Sequence, residues 1–194
     1  MPERGRLIIF SGPSGAGKST VTRKLLSECP LPLRLSVSAT TRPSRPGETD
    51  GIEYHFLSEE RFDALRSEEA FLEYKEVFGK HWYGTLRAEV DAGLERGDWV
   101  ILEIDVQGAM SVMEQDDLKP LSFFIHPGST QELERRLRDR GTESEEAIER
   151  RLETAEQEMA FLPRYQYEII NHSVDVAVAQ VCQILEDHRE SQEC

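Results

Sequence analysis

Gly12-Pro13-Ser14-Gly15-Ala16-Gly17-Lys18-Ser19 places glycines, a lysine and a hydroxyl at the spacing G-x-x-x-x-G-K-[ST]. A loop of this kind turns its backbone N–H groups inward around a phosphate. Glycines at 12, 15 and 17 allow dihedrals and a close approach that a Cβ would block. Lys18 then reaches the β- and γ-phosphates, and the Ser19 hydroxyl is placed to ligate Mg²⁺. A helix that starts at Ser19-Thr20 adds the positive potential of its N-terminus. The octapeptide therefore predicts a nucleoside triphosphate site. It is silent on how the triphosphate is used, and an ATPase, a GTPase and a kinase all suit it.

Such a loop needs a strand before it and a helix after it. Leu7-Ile8-Ile9-Phe10 reads as a short, fully buried strand, and Val21, Leu25 and Leu26 fall at helical spacing before Pro30. Further along, Trp99 to Asp105, Leu121 to Ile125 and Tyr167 to Ile170 read as buried strands. Ile52 to Leu57 reads as a shorter one, and Phe71 to Phe78 and Trp82-Tyr83-Gly84 read as short strands or turns. Helices are expected after Ser58, over Arg87 to Glu95, from Ser129 and again from Thr142-Glu143-Ser144-Glu145 to about Leu162. A closing helix carries Val174, Val178, Val181 and Leu185 on one stripe. Short apolar strands alternating with helices predict an α/β fold with a mainly parallel sheet flanked by helices. Segments 38–93 and 129–154 do not fit that layering and read as insertions at the strand ends, where α/β proteins place their ligands.

Bulk properties narrow the partners. The 194 residues suit one domain, and 37 acidic against 23 basic side chains give a net charge of −14. That balance argues against a nucleic-acid partner, which needs Lys and Arg to neutralise phosphates. No apolar run approaches the roughly 20 residues of a membrane span, so no membrane partner is expected and the cytoplasm is the expected location. Cys29, Cys182 and Cys194 are far apart with no CxxC spacing and read as free thiols. The five histidines are scattered, and no zinc site assembles from local spacing.

Several further stretches resemble the guanylate kinases, members of the nucleoside monophosphate kinase group. Beyond the loop they are Ser36-Val37-Ser38-Ala39-Thr40-Thr41-Arg42-Pro43-Ser44-Arg45-Pro46-Gly47-Glu48, Gly51 to Phe56, Phe71-Leu72-Glu73 and Tyr83-Gly84-Thr85. Ile101 to Gly108, Arg135 to Gly141 and Ile170-Asn171 complete the set, which spans nearly the whole chain. The resemblance implies a phosphate-loop kinase core (1–37, 94–128 and 155–194), a GMP-binding insertion at 38–93 and a helical lid at 129–154. The implied reaction is ATP + GMP → ADP + GDP, with Mg²⁺ as cofactor.

The resemblance also implies residue roles. Gly12, Pro13, Ser14, Gly15, Ala16, Gly17, Lys18, Ser19 and Thr20 bind ATP, with Asn171 near its adenine and Ser19 on Mg²⁺. Arg42 and Arg45 hold the phosphate of GMP, which suits their planar forks, and Tyr54 and Tyr83 donate hydroxyl hydrogen bonds to it. Glu73 reads guanine, whose N1–H and N2–H₂ donors lie side by side, while adenine presents an acceptor at N1. Ser38 and Thr85 are the matching hydroxyls, Thr85 aimed at the guanine O6. Glu103 and Asp105 complete the GMP set, although the family more often has Asp where Glu103 stands. Arg136, Arg140 and Arg151 come from the lid and, with Lys18 and Arg42, surround the transferred phosphoryl group. Arg135, Arg138 and Arg150 are left to solvent or acidic neighbours. His172 stands where an Asp often follows the Asn, and Lys80-His81-Trp82 makes the spacer before Tyr83 a residue longer than in many relatives. The alternatives are a kinase of another acceptor and a non-enzymatic interaction module. A GTPase switch is disfavoured, because no clear N-K-x-D is present.

Overall fold

The computed structural model describes residues 4–77, 79–139 and 144–193. The chain runs β1 (Leu7–Ser11), α1 (Lys18–Glu28), β2 (Leu33–Leu35), β3 (Ala39–Thr40), β4 (His55–Phe56), α2 (Glu59–Ser67), β5 (Phe71–Val77) and β6 (His81–Leu86). It continues through α3 (Arg87–Glu95), β7 (Trp99–Glu103), α4 (Val106–Met113), β8 (Leu121–His126), α5 (Thr130–Asp139), α6 (Glu145–Met159), β9 (Tyr167–Ile170) and α7 (Val174–Glu193). The order is α/β, as the sequence pattern predicts.

Five strands form one sheet in the order β2-β7-β1-β8-β9, and every pairing in it is parallel. Strand alternation divides its side chains between two apolar layers. Ile8, Phe10, Ile101, Phe123 and Ile125 pack against Val21 and Leu25 of α1 and Val181 and Leu185 of α7. Ile9, Val100, Leu102 and Phe124 pack on the other face against α3 and α4. A strand covered on both faces reads as a continuous apolar run, which is why Leu7 to Phe10 shows no polar alternation.

A second sheet, β4-β3-β6-β5, stands beside the first. It is built on the antiparallel β5–β6 hairpin, and α2 covers one face by stacking Phe62 on Phe71 with ring centroids 4.5 Å apart. Helices α5 and α6 close on a small core of their own, Leu133, Leu137, Ile148 and Ala155.

Four local expectations are corrected. Cys29 and Cys182 are not free thiols but a disulfide, with Cα atoms 5.8 Å apart. Helices α1 and α7 lie on the same sheet face, which residue spacing over 153 positions does not reveal. The strand expected over Ile52 to Leu57 shrinks to two residues, because Ile52 N–H turns back to the Thr49 carbonyl at 3.1 Å. The strand expected to reach Asp105 stops at Glu103, since Asp105 caps α4 by accepting from the Gly108 N–H at 2.8 Å. The helix expected to run to Leu162 ends at Met159. Among the described residues, no helix is long and apolar enough to cross a membrane.

Candidate active site

β1 delivers the chain into the phosphate loop at the end of the parallel sheet. Gly12 has φ +129°, and a Cβ there would lie 2.1 Å from the Ile125 carbonyl oxygen, so only glycine fits. Gly17 caps α1 at φ 88°, and its Cβ would lie 2.6 Å from Asn171 Nδ2. The loop borders a cavity of about 240 Å³ lined by Ser14, Lys18, Ser19, Thr20 and Glu103 among others. Lys18 Nζ donates to the Gly12 and Pro13 carbonyls at 2.6 and 3.1 Å, folding back over its own loop. Burial pulls the Lys18 ammonium below its ordinary value, against the opposing pull of Glu103, Glu158 and Asp105. The Ser19 hydroxyl donates to the Glu103 carboxylate.

A second cavity, of about 270 Å³, opens on the other side of Gly17 between α5 and β9, with Arg136, Asn171 and His172 in its lining. Asn171 is 2% exposed; its Nδ2 donates to the Ala16 carbonyl at 2.8 Å, and its buried Oδ1 has no hydrogen-bond partner among the described residues. Arg136 is held by Glu132 at 2.8 Å and donates to the Asn171 carbonyl at 2.6 Å. Arg135 and Arg136 together hold the Glu132 carboxyl at about 2. Arg135 also reaches Asp139, while Arg138 pairs with Glu134 and Glu145, the acidic-neighbour role expected of both. Arg151 lies on α6, and Arg140 lies outside the described residues.

Across the cleft, β3, β4 and β6 gather a cation and its aromatic surround. Arg42 is 11% exposed and pairs with Glu48 at 2.9 Å. Its guanidinium lies 5.5 Å from the Tyr54 ring centre and 5.7 Å from that of Phe56. The Glu48 bond raises the Arg42 pKa, with a smaller contribution from Tyr83, whose ring meets Tyr54 edge-on at 5.8 Å. The Arg45 backbone N–H donates to Glu48 at 2.7 Å, and its side chain is exposed. The Ser38 carbonyl accepts from His55 N at 2.9 Å.

Deeper in the cleft, the Thr85 hydroxyl donates to Glu73 at 2.6 Å. Burial pushes the Glu73 carboxyl up to about 7; Thr85 pulls it down, Asp105 adds to the rise and Lys75 opposes it. Asp105 Oδ2 accepts from Lys75 Nζ at 2.6 Å.

The expected residues thus fall into four groups: Lys18, Ser19 and Glu103; Arg136 and Asn171; Arg42, Tyr54 and Tyr83; Glu73, Thr85 and Asp105. Glu103, expected with the acceptor set, stands over Ser19 at the phosphate loop. Three residues escape a reading of the sequence: Glu48, Lys75 and Glu158. Glu158 Oε2 is buried with no hydrogen-bond partner among the described residues, and burial raises its carboxyl while Lys18 opposes the rise. A signal existed for two of them. Lys75 follows Glu73 by two on a strand, and Glu158 follows Arg151 by two helical turns, so each shares a face with an expected site residue.

The family profile described as guanylate kinase matches residues 4–188. The chain belongs to the guanylate kinase family. The guanylate kinase of Rhodopirellula baltica is 59% identical over 191 residues, spanning 98% of this chain and 91% of that one. The guanylate kinase of Zymomonas mobilis is 45% identical over 185 residues, spanning 95% and 85%. The crystal structure of guanylate kinase from Anaplasma phagocytophilum superposes with a TM-score of 0.75 at 32% identity, covering 97% of this chain and 88% of that one.

Proposed function

We propose that this chain transfers the γ-phosphoryl group of ATP to GMP, giving ADP and GDP, in purine nucleotide metabolism in the cytoplasm. The observation that carries the reading is the Glu73–Thr85 pair, joined at 2.6 Å and set against Gly108 of α4, in a chain whose phosphate loop is intact. An ionised Glu73 accepts the N1–H and N2–H₂ of guanine together, and the Thr85 hydroxyl is assigned to O6. Adenine would set an acceptor against the carboxylate lone pairs and leave buried groups unpaired.

The acceptor phosphate is assigned to Arg42 and Arg45, with Tyr54, Tyr83 and Ser38 as hydroxyl donors. Arg42 exchanges its bond to Glu48 for phosphate oxygens. Backbone N–H groups between Gly12 and Thr20 take the donor phosphates, and Lys18 leaves the Gly12 and Pro13 carbonyls to reach them. Arg136 and Asn171 flank the adenine cavity. Arg136 and Arg151 come down with α5 and α6 as these helices close over the core, Arg140 is assigned to the same phosphates, and 38–93 closes with GMP. The acceptor phosphate is already ionised, so no general base is required; catalysis is positioning and charge neutralisation with water excluded.

The donor set fits a hard cation. The Ser19 hydroxyl meets a Glu103 oxygen at the mouth of the phosphate cavity. No group of three or more His, Cys, Asp or Glu among the described residues forms an all-protein metal cage. That suits Mg²⁺, which keeps waters and is held mainly by substrate phosphates. Bound there, it would supply charge neutralisation to the donor phosphates. Ser19 would ligate it, with Glu103 fixing the hydroxyl.

Chromatography of the nucleotides formed from ATP and GMP tests the reading. GDP and ADP are expected in equal amounts. Glu73→Gln is expected to lower kcat/KM for GMP by roughly 100-fold, the scale of losing a charged pair of hydrogen bonds, while KM for ATP stays near its value. Glu73→Gln with full GMP selectivity over AMP would overturn the base assignment.

A further inference from the structure

Lys75 has no part in the scheme above, yet it occupies a junction between the two sheets. It follows Glu73 by two residues on β5, so both side chains leave the same face of the strand. That face meets the head of α4. Lys75 Nζ donates to Asp105 Oδ2 at 2.6 Å, and the other oxygen of Asp105 accepts from the Gly108 N–H at 2.8 Å. Gly108 is in turn the floor beneath Glu73, since a Cβ there would lie 2.8 Å from Glu73 Oε2. Gln115, just past α4, donates to the Leu72 carbonyl at 2.9 Å and holds the start of the same strand.

The consequence is electrostatic as well as geometric. Glu73 and Asp105 both border Gly108, and the Asp105 carboxylate opposes the ionisation of Glu73. Among the described residues, the groups acting on Glu73 are Thr85 of β6, Asp105 at the head of α4 and Lys75 of its own strand, and of these Lys75 is the cation. Glu158 of α6 lies within reach of Asp105 and Lys75, adding a third carboxyl to the neighbourhood. The chain carries a net charge of −14 and binds two anionic nucleotides, so a cation between these carboxylates has a task.

We propose that Lys75 is a positioning residue for the acceptor base: its bridge to Asp105 fixes the Glu73 strand against α4 and balances the two carboxylates that face guanine's N–H edge. The inference rests on the guanine reading of Glu73. The side chains of Lys75 and Asp105 are 46% and 37% exposed, and pairs of that kind add little to global stability. Loss of Lys75 is therefore read in GMP use and its pH dependence, not in the melting curve.

The test is Lys75→Met in the full chain, beside Lys75→Arg and Glu73→Gln. Lys75→Met is expected to raise KM for GMP by roughly fivefold at pH 7, the scale of one half-exposed charge interaction. It should also move the inflection of kcat/KM for GMP to higher pH, while KM for ATP and the thermal midpoint hold. Lys75→Arg should restore both GMP readouts. An unmoved inflection with an unchanged KM for GMP overturns the inference, as does a parallel loss of kcat, both KM values and stability that Arg fails to rescue. Lys75→Gln serves if the Met variant does not fold, with the same outcomes. Glu73→Gln separates the two claims. Selectivity lost there with Lys75→Met silent sinks Lys75 alone; selectivity retained there sinks the guanine reading with it.

Discussion

With Glu73 as the proposed guanine reader, GMP use should depend on pH in a direction set by its burial. Burial is the largest cause of its rise to about 7, from an ordinary value of 4.5. Only the carboxylate accepts both guanine donors; the protonated acid turns an O–H toward an N–H. The ionised fraction is half near pH 7 and about one in ten at pH 6, so kcat/KM for GMP should be about tenfold lower at pH 6 than on a plateau above pH 8. For the empty protein the sign is reversed. Folded Glu73 holds its proton more tightly than unfolded Glu73, so stability from this group is lost as pH rises from about 4.5 to about 7, by about 3 kcal/mol at most. GMP should therefore raise the melting temperature more at pH 8 than at pH 6. The phosphate of GMP itself titrates near pH ~6, so the control is Glu73→Gln, whose profile keeps that ionisation and lacks the inflection near 7. A coupled ADP assay at saturating ATP measures both profiles. A wild-type profile flat from pH 6 to 8, or an inflection near 7 that survives Glu73→Gln, refutes the reasoning.

Three further outcomes follow from the geometry. Lys18→Met should cut ADP formation by roughly 100-fold or more, the scale of removing one donor that stabilises transition-state charge, with the thermal midpoint unchanged; normal turnover in a folded variant contradicts it. Gly12→Ala forces a Cβ to 2.1 Å from the Ile125 carbonyl at φ +129°; a cost of about 3 kcal/mol or more is expected, seen as a midpoint lower by about 6–12 °C. Cys182→Ser, or a reductant, should lower stability by about 2–4 kcal/mol through loss of the link between α1 and α7. Denaturant melts with and without reductant check it, and coincident curves contradict it.

Legibility varied with how local each signal is. Leu7 to Phe10 and Trp99 to Leu102 are recognisable because a buried parallel strand needs apolar side chains on both faces, and the phosphate loop because its backbone path admits few residues. Helix α3 is likewise bounded as expected at Arg87–Glu95, having Gly97 just beyond its end. Helix α4 is not readable, because its eight residues directly follow a strand and its cap, Asp105, looks like the end of that strand. The Cys29–Cys182 link depends on two helices meeting on one sheet face, a tertiary fact. At the site, the roles of Arg42 and Glu73 follow only from family resemblance: a lone Glu in Leu-Glu-Tyr-Lys has no local mark of burial. The partners that tune them, Glu48 and Lys75, emerge only once β3, β4 and β6 surround Arg42 and β5 docks on α4.

The central claim is that this chain moves phosphate from ATP to GMP and selects the acceptor by its base. The most direct measurement is ADP formation from Mg·ATP across GMP, AMP, CMP, UMP and dTMP at equal concentration. Turnover with GMP and background rates with the other four is the predicted result. Comparable turnover with all five, or with none, contradicts it.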